Sequence, residues 1–136
     1  MSTTSTTDLN AIASSAFGGV AYSGLATYYA ALFIGASTGI ADGTEATGNS
    51  YARVAITNNQ TNFPAASAGV VSNGTTITFP QSSGSWGTVD AIRLMDAATD
   101  GNVRFGSLIT PNVTVDATGI TVSIPIGSLT FTVANA

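Results

Sequence analysis

The chain has 136 residues, the length of a single domain, and it contains three arginines but no lysine, histidine or cysteine. Because these three residue types are absent, the chain cannot form the usual catalytic pairs of nucleophile and base, a zinc site with histidine or cysteine ligands, a Schiff base or a phosphate-binding P-loop. A net charge of −4 argues against a nucleic-acid partner. A charged fraction of only 7% is compatible with a surface that rests largely against other protein and equally with a threonine-rich β-protein.

The N-terminus has two parts. Residues 1–7 are polar and rich in threonine, and they predict a flexible arm that is mobile in isolation and could anchor the protein to a neighbour. The next segment carries apolar residues with helical spacing, namely Leu9, Ile12, Ala13, Ala16 and Phe17. This spacing predicts a helix over about residues 8–18, capped by Thr7 or Asp8 and ended by two glycines.

The remaining chain alternates short apolar runs with Gly, Pro and Asn. The first run, residues 27–34, is apolar on both faces and predicts a central strand. Further strands are predicted at 51–57, 70–72, 75–79, 88–95, 103–109, 113–115, 119–124 and 127–133. Asn73 and Gly74 predict a tight hairpin between two of these strands, and residues 96–102 predict the turn of a second hairpin.

The pattern predicts an all-β fold. We expect an antiparallel β-sandwich, jelly-roll-like or immunoglobulin-like, as a single domain over residues 8–136 with the short helix at its N-terminus. Within residues 88–95, alternation places Val89, Ala91, Arg93 and Met95 on one side of the strand.

Two long loops, residues 35–50 and 58–69, are predicted to contact a partner, because long loops in a small domain are usually functional or packed against another protein. Arginine is also favoured at protein interfaces. The candidate partner contacts from the arm, the loops and the arginines are Ser2, Thr3, Thr4, Ser5, Thr6, Thr7, Glu45, Asn59, Phe63 and Arg53.

Carboxylates are the main groups left for chemistry. They are Asp8, Asp42, Glu45, Asp90, Asp96, Asp100 and Asp116. Most lie in predicted turns, where aspartate commonly closes the turn with its own side chain. We therefore predict no catalytic residues, no cofactor and no metal. The alternative to turn-making is calcium, either at Asp96, Asp100 and Asn102 or at Asp42 with Glu45.

Several short segments follow one another along the chain, among them YYAALF at residues 28–33, SWGTV at 85–89, LMDAATDGN at 94–102 and FGSL at 105–108. Together, and in this order, they resemble a group of small structural proteins from the particles of tailed bacteriophages, described as tail-fibre-like or virion structural. The resemblance covers about residues 9–133 and implies a β-sandwich virion component that is not an enzyme. The chain departs from that group in having no lysine after Pro111.

Three functions are compatible with the resemblance. The leading hypothesis is a capsid decoration or cement protein that binds over major capsid subunits. The alternatives are a tail or tail-fibre component, and a glycan-binding adhesion module in which Tyr28, Tyr29, Tyr51 or Trp86 stacks on sugars.

The expected partners are the major capsid protein or another virion protein, together with further copies of the chain, for instance in a trimer. Neither nucleic acid nor a membrane is expected as a partner. The expected location is the virion, at the capsid surface rather than the tail. Synthesis is expected in the host cytoplasm, because the N-terminus lacks the positively charged start of a secretory signal.

Overall fold

The computed structural model describes residues 2–36 and 38–133, without the side chains of Ser2 and Thr3. The elements in chain order are β1 (Ser2–Thr4), α1 (Thr6–Ala16), β2 (Thr27–Ile34), β3 (Thr44–Glu45), β4 (Val54–Thr57), β5 (Val70–Ser72), β6 (Ile77–Thr78), β7 (Gly87–Met95), β8 (Val103–Val115), β9 (Ser123–Ile124) and β10 (Thr130–Thr132).

The strands form one large sheet and two small ones, all antiparallel. The large sheet has the order β1-β8-β7-β2-β3, and β4 also pairs with β2. The pairs β5–β10 and β6–β9 form two-stranded sheets. Side chains of the large sheet, such as Leu32 and Val89, share one buried apolar cluster with Phe79, Ile124 and Phe131 from the small sheets. This layered core confirms the all-β, sandwich-like prediction with one short helix.

The central strand and the second hairpin are confirmed. β2 covers residues 27–34, and five of its eight residues are buried. β7 and β8 pair antiparallel, from Gly87 with Val115 to Met95 with Val103. β8 is one strand of thirteen residues, through a cis Thr110–Pro111 bond, where two shorter strands were predicted.

A β-bulge changes which residues of β7 share a face. The register of β7 against β8 shifts between Val89 and Ala91. Val89 consequently lies in the main core with Ile92, while Ala91 and Met95 lie in a second buried cluster. The predicted alternation is therefore wrong at Val89, because a bulge adds a residue that simple periodicity does not count.

The predicted hairpin at Asn73 and Gly74 is also wrong. β5 and β6 do not pair with each other, since β5 pairs with β10 and β6 with β9. Asn73 is buried, its amide donates to the carbonyls of Thr75 and Pro125, and its Oδ1 accepts the N–H of Leu129. Bonds to a distant segment therefore outweigh the local turn preference.

The N-terminus differs from the predicted flexible arm. Ser2–Thr4 pairs with residues 105–107 of β8 as an edge strand, because the edge of β8 offers unpaired backbone groups. α1 begins two residues before the predicted start and ends at Ala16. Its N-cap is Ser5, whose Oγ accepts the N–H of Asp8, rather than Thr7 or Asp8.

Candidate interaction surface

The N-terminal latch, defined here as Ser5, Asp8, Tyr22 and Arg104, holds α1 against β8. The Asp8 side chain is fully buried and accepts two hydrogen bonds of 2.6 Å from Nε and Nη2 of Arg104. The Tyr22 hydroxyl donates to the same carboxylate at 2.8 Å, and the Ser5 hydroxyl donates to it as well. A bidentate ion pair with two further donors is a strong and specific contact.

The latch shifts the proton affinity of its members. Burial by itself raises the pKa of Asp8, but the hydrogen bonds from Arg104, Ser5 and Tyr22 outweigh burial and hold that pKa below its ordinary value. Burial and the bond to Asp8 both raise the pKa of Tyr22. The carboxylate form of Asp8 is therefore part of the folded structure.

A second ion pair joins the other edge of the sheet to the β7–β8 turn. Arg53 bonds Glu45 through Nε at 2.8 Å and Nη2 at 2.7 Å, and its Nη1 donates to the carbonyls of Ala97 and Asp100. The Tyr51 hydroxyl donates to Glu45 at 2.8 Å. Burial raises the pKa of Glu45, but the bonds from Arg53 and Tyr51 outweigh it, so the pKa lies below its ordinary value.

Lowering the pH is expected to weaken the fold through Asp8 and Glu45. Both have lowered pKa values in the folded protein, so their stabilisation is complete above the unfolded values of about 4 and is lost as the pH falls through the folded values. Urea unfolding from pH 7 downward measures this loss. The variants Asp8→Asn and Glu45→Gln should each have a lower free energy of unfolding than the parent at pH 7, and that free energy should fall less than the parent's as the pH is lowered. If both variants kept the pH dependence of the parent, the assignment would be contradicted.

The third arginine is buried beneath a loop on the second face of the large sheet. Arg93 donates to the carbonyls of Gly39, Ala41 and Asp42 at 2.7–2.8 Å. Its guanidinium lies 4.0 Å from the centre of the Phe33 ring. All three arginines are thus bonded within the chain.

An apolar groove of about 400 Å³ opens beside α1. Its lining includes Ile12 from the helix, Phe63 and Pro64 from the loop after β4, Phe105 from β8 and Val133. None of the residues that line it carries a charge. The groove can therefore receive an apolar side chain but has nothing to neutralise a charged one.

The apolar residues of α1 are mostly not covered by the described part of the chain. Leu9 and Ile12 are half-buried, Ala13 and Ala16 are exposed, and Asp8 is the only buried residue of the helix. Beyond the helix end, Phe17 is 86% exposed and Val20 is 60% exposed. Two large exposed apolar side chains three residues apart make this segment a candidate interaction site.

The predicted contact residues do not form one surface. Thr4 is buried, Ser5 is half-buried, and Thr6 and Thr7 are exposed on the first turn of α1. The backbone of Ser2 and Thr3 is in β1, and their side chains lie outside the described residues.

The other predicted contacts lie elsewhere. Glu45 and Arg53 belong to the opposite edge of the large sheet and bond each other. Phe63 lines the apolar groove, and Asn59 is exposed and accepts the N–H groups of Thr61 and Asn62. Exposed candidates therefore remain at Thr6, Thr7 and Asn59.

Sequence reasoning missed Phe17, Val20 and the pairing of Asp8 with Arg104. Phe17 was assigned to a packed helix face, although the helix ends one residue before it. The ion pair joins residues 96 positions apart, for which a sequence has no local signal. Composition offers one indication, because a chain with three arginines and seven carboxylates allows few different ion pairs.

The aromatic residues considered for sugar stacking serve the core instead. Tyr28 and Trp86 are buried, and Tyr51 packs edge-on against Trp86 with ring centres 5.3 Å apart. Tyr29 is half-buried beside the second cluster. None of these four rings is exposed.

The described part of the chain has neither a metal-binding group nor a membrane-spanning helix. Within residues 2–36 and 38–133, no three acidic, histidine or cysteine side chains converge as a metal-binding group would. The helix in the same part of the chain is too short and too polar to cross a membrane.

Comparison with known proteins places the chain in a family. A search among curated proteins gives no significant match. A family profile described as "Podophage GP4 fiber I protein gp80" matches residues 3–132, which is nearly the whole chain. The match supports the predicted resemblance to phage virion structural proteins. The chain therefore belongs to the family of the podophage GP4 fiber I protein gp80.

Proposed function

We propose that this protein is a non-enzymatic structural subunit of a fibre on a phage particle. The observation that carries the proposal is the family match over residues 3–132 to a fibre protein. Fibre subunits must bind other virion proteins or further copies of themselves. Such a role needs a stable body and an adhesive surface rather than a reactive site.

The distribution of charge supports this role. The three arginines are bonded within the chain, two of them to the carboxylates of Asp8 and Glu45. The surface beside the helix offers instead the apolar groove and the exposed Phe17 and Val20. Contacts made through such a surface depend on apolar burial and shape, and they should be less sensitive to salt than contacts between charged patches.

A capsid decoration protein is the second candidate, and the same uncharged surface is compatible with it. In that case the partner is the major capsid protein, and the copies are spread over the head. Because the family is described by its fibre protein, we place the fibre role first. The two functions differ in location and in copy number.

The deciding experiment locates the protein on the particle that encodes it. An antibody raised against the purified chain is used for gold labelling in the electron microscope, and the band of the chain is compared with that of the major capsid protein by gel densitometry. The fibre role predicts label at fibres and a small number of copies per particle. Label spread evenly over the head, with a copy number close to that of the capsid protein, would replace it with decoration, and particles without label would contradict both.

A further inference from the structure

The N-terminal segment, defined as residues 2–16, is separable from the body of the domain. The buried apolar clusters and the partly buried residues packed on them are all drawn from Leu25 onward. Among the side chains described in the segment, only Thr4 and Asp8 are buried, and both are polar. The buried apolar clusters are therefore built without the segment, whose half-buried Ile12 only lines the apolar groove, and the segment binds the body much as a peptide ligand would.

The body holds this segment through directional bonds. Three residue pairs join β1 to β8, and the N–H of Ser5 donates to the carbonyl of Arg104 at 2.8 Å. The Arg104 side chain clamps Asp8, and the Thr4 hydroxyl donates to the carbonyl of Thr132 at 3.3 Å. The site thus recognises an extended strand followed by a capped helix with an acid in its first turn, which is recognition by strand addition.

The linker that follows, residues 17–26, allows the segment to leave its own body. It contains no helix or strand, and Gly18 and Gly19 both have positive φ. One of its side chains, Tyr22, reaches the segment through the hydroxyl bond to Asp8. Ten residues can span about 33 Å when extended, so the length of the linker does not confine the segment to its own body.

A second copy of the chain is the partner that fits best. Every copy presents the same β8 edge and the same Arg104. The segment of one copy can therefore pair with β8 of a neighbour, and its Asp8 can form the bidentate ion pair with the neighbour's Arg104. Phe17 and Val20, exposed on the linker, become buried if two crossing linkers lie side by side. Exchange of an identical element is a low-cost route to linked subunits.

We propose that residues 2–16 of one copy dock on β8 and Arg104 of a neighbouring copy and so connect subunits of the assembly. The proposal rests on the proposed structural role only for its setting, because a multi-copy assembly supplies the neighbours. Its test uses purified protein, so its failure is distinct from a failure of the fibre assignment.

The absence of cysteine from the chain permits a direct test. Ser2 pairs with Ser107 across β1 and β8, and paired residues in a sheet lie within the distance that a disulfide spans. The double variant S2C/S107C is concentrated, oxidised and run on a denaturing gel without reducing agent. Exchange predicts covalent products of two and more chains that collapse to one chain on reduction.

Controls separate exchange from random oxidation. S2C and S107C alone should each give mainly single chains, whereas an equal mixture of the two, refolded together, should give a joined pair of one chain of each kind. A second double variant, T4C/F105C, tests the same docking at another residue pair of β1 and β8 if S107C unfolds the protein. A crosslink only within single chains at every concentration would overturn the proposal, and so would the absence of any crosslink in both double variants.

Discussion

Replacing Phe79 by alanine is expected to lower the free energy of unfolding by about 3–5 kcal/mol, the usual cost of truncating a buried phenylalanine. The ring is 2% exposed and is the largest of the fully buried side chains. It stacks with Tyr51 at 6.5 Å between ring centres, and the N–H of Phe79 donates to the carbonyl of Val122. Phe79 thus joins the large sheet to the β6–β9 sheet, and its loss leaves a cavity between the two layers.

Urea unfolding at neutral pH measures the effect, and the chain offers a matched control. Phe17→Ala removes the same atoms from a side chain that is 86% exposed, and it should change the free energy of unfolding by less than about 0.5 kcal/mol in dilute protein. Phe79→Leu should recover part of the loss, because leucine fills part of the cavity. Equal effects of the two alanine variants would contradict the placement of both rings.

The parts of the fold that sequence predicts are those governed by local pattern. Residues 27–34 form β2 as expected, because a run that is apolar on both faces fits only a covered strand. The turn at residues 96–102 forms because Asp96 accepts the N–H of Asn102 with its own carboxylate. In both cases the signal lies within a few residues of the sequence, even though β2 then pairs with the distant β7.

The parts that sequence does not predict depend on distant partners. Asn73 carries a strong hairpin signal, but its buried amide bonds Pro125 and Leu129 instead. The arm at Ser2–Thr4 has no apolar pattern, and it becomes a strand only because β8 presents an open edge 100 residues later. Local propensity is therefore a weak guide wherever a buried polar group or a free sheet edge offers better bonds.

The ion pairs are also not predictable from local sequence, because neither joins two residues of the same helix or strand. Arg53 and Glu45 were expected to face a partner, but in a chain with so few charges each of them has its counter-charge within the fold. Asp8 and Arg104 behave alike at the other edge of the sheet. The ion pairs of this protein consequently fix strands, helix and loops relative to one another.

Replacing Arg93 tests whether a charged side chain holds a loop of this protein on the sheet. Arg93→Met is expected to lower the free energy of unfolding by about 3–5 kcal/mol, because the buried carbonyl of Gly39 and the partly buried carbonyls of Ala41 and Asp42 all lose their charged donor. Methionine keeps much of the apolar volume over Phe33, so the loss reports the hydrogen bonds rather than a cavity. Calorimetry and hydrogen exchange at residues 38–43 measure the global and the local effect.

Arg93→Lys is the matched variant, because it retains the charge but not the planar fork of donors. A single ammonium can replace Nη2, which bonds the carbonyls of Ala41 and Asp42, or Nε, which bonds that of Gly39, but not both, so about half of the loss should persist. The loop has no room to shift toward the sheet, since the Gly39 carbonyl already lies where a side chain on Gly106 would be. If Arg93→Met were as stable as the parent, with unchanged exchange at residues 38–43, the loop would be held by its backbone packing on Gly106 and not by the buried guanidinium.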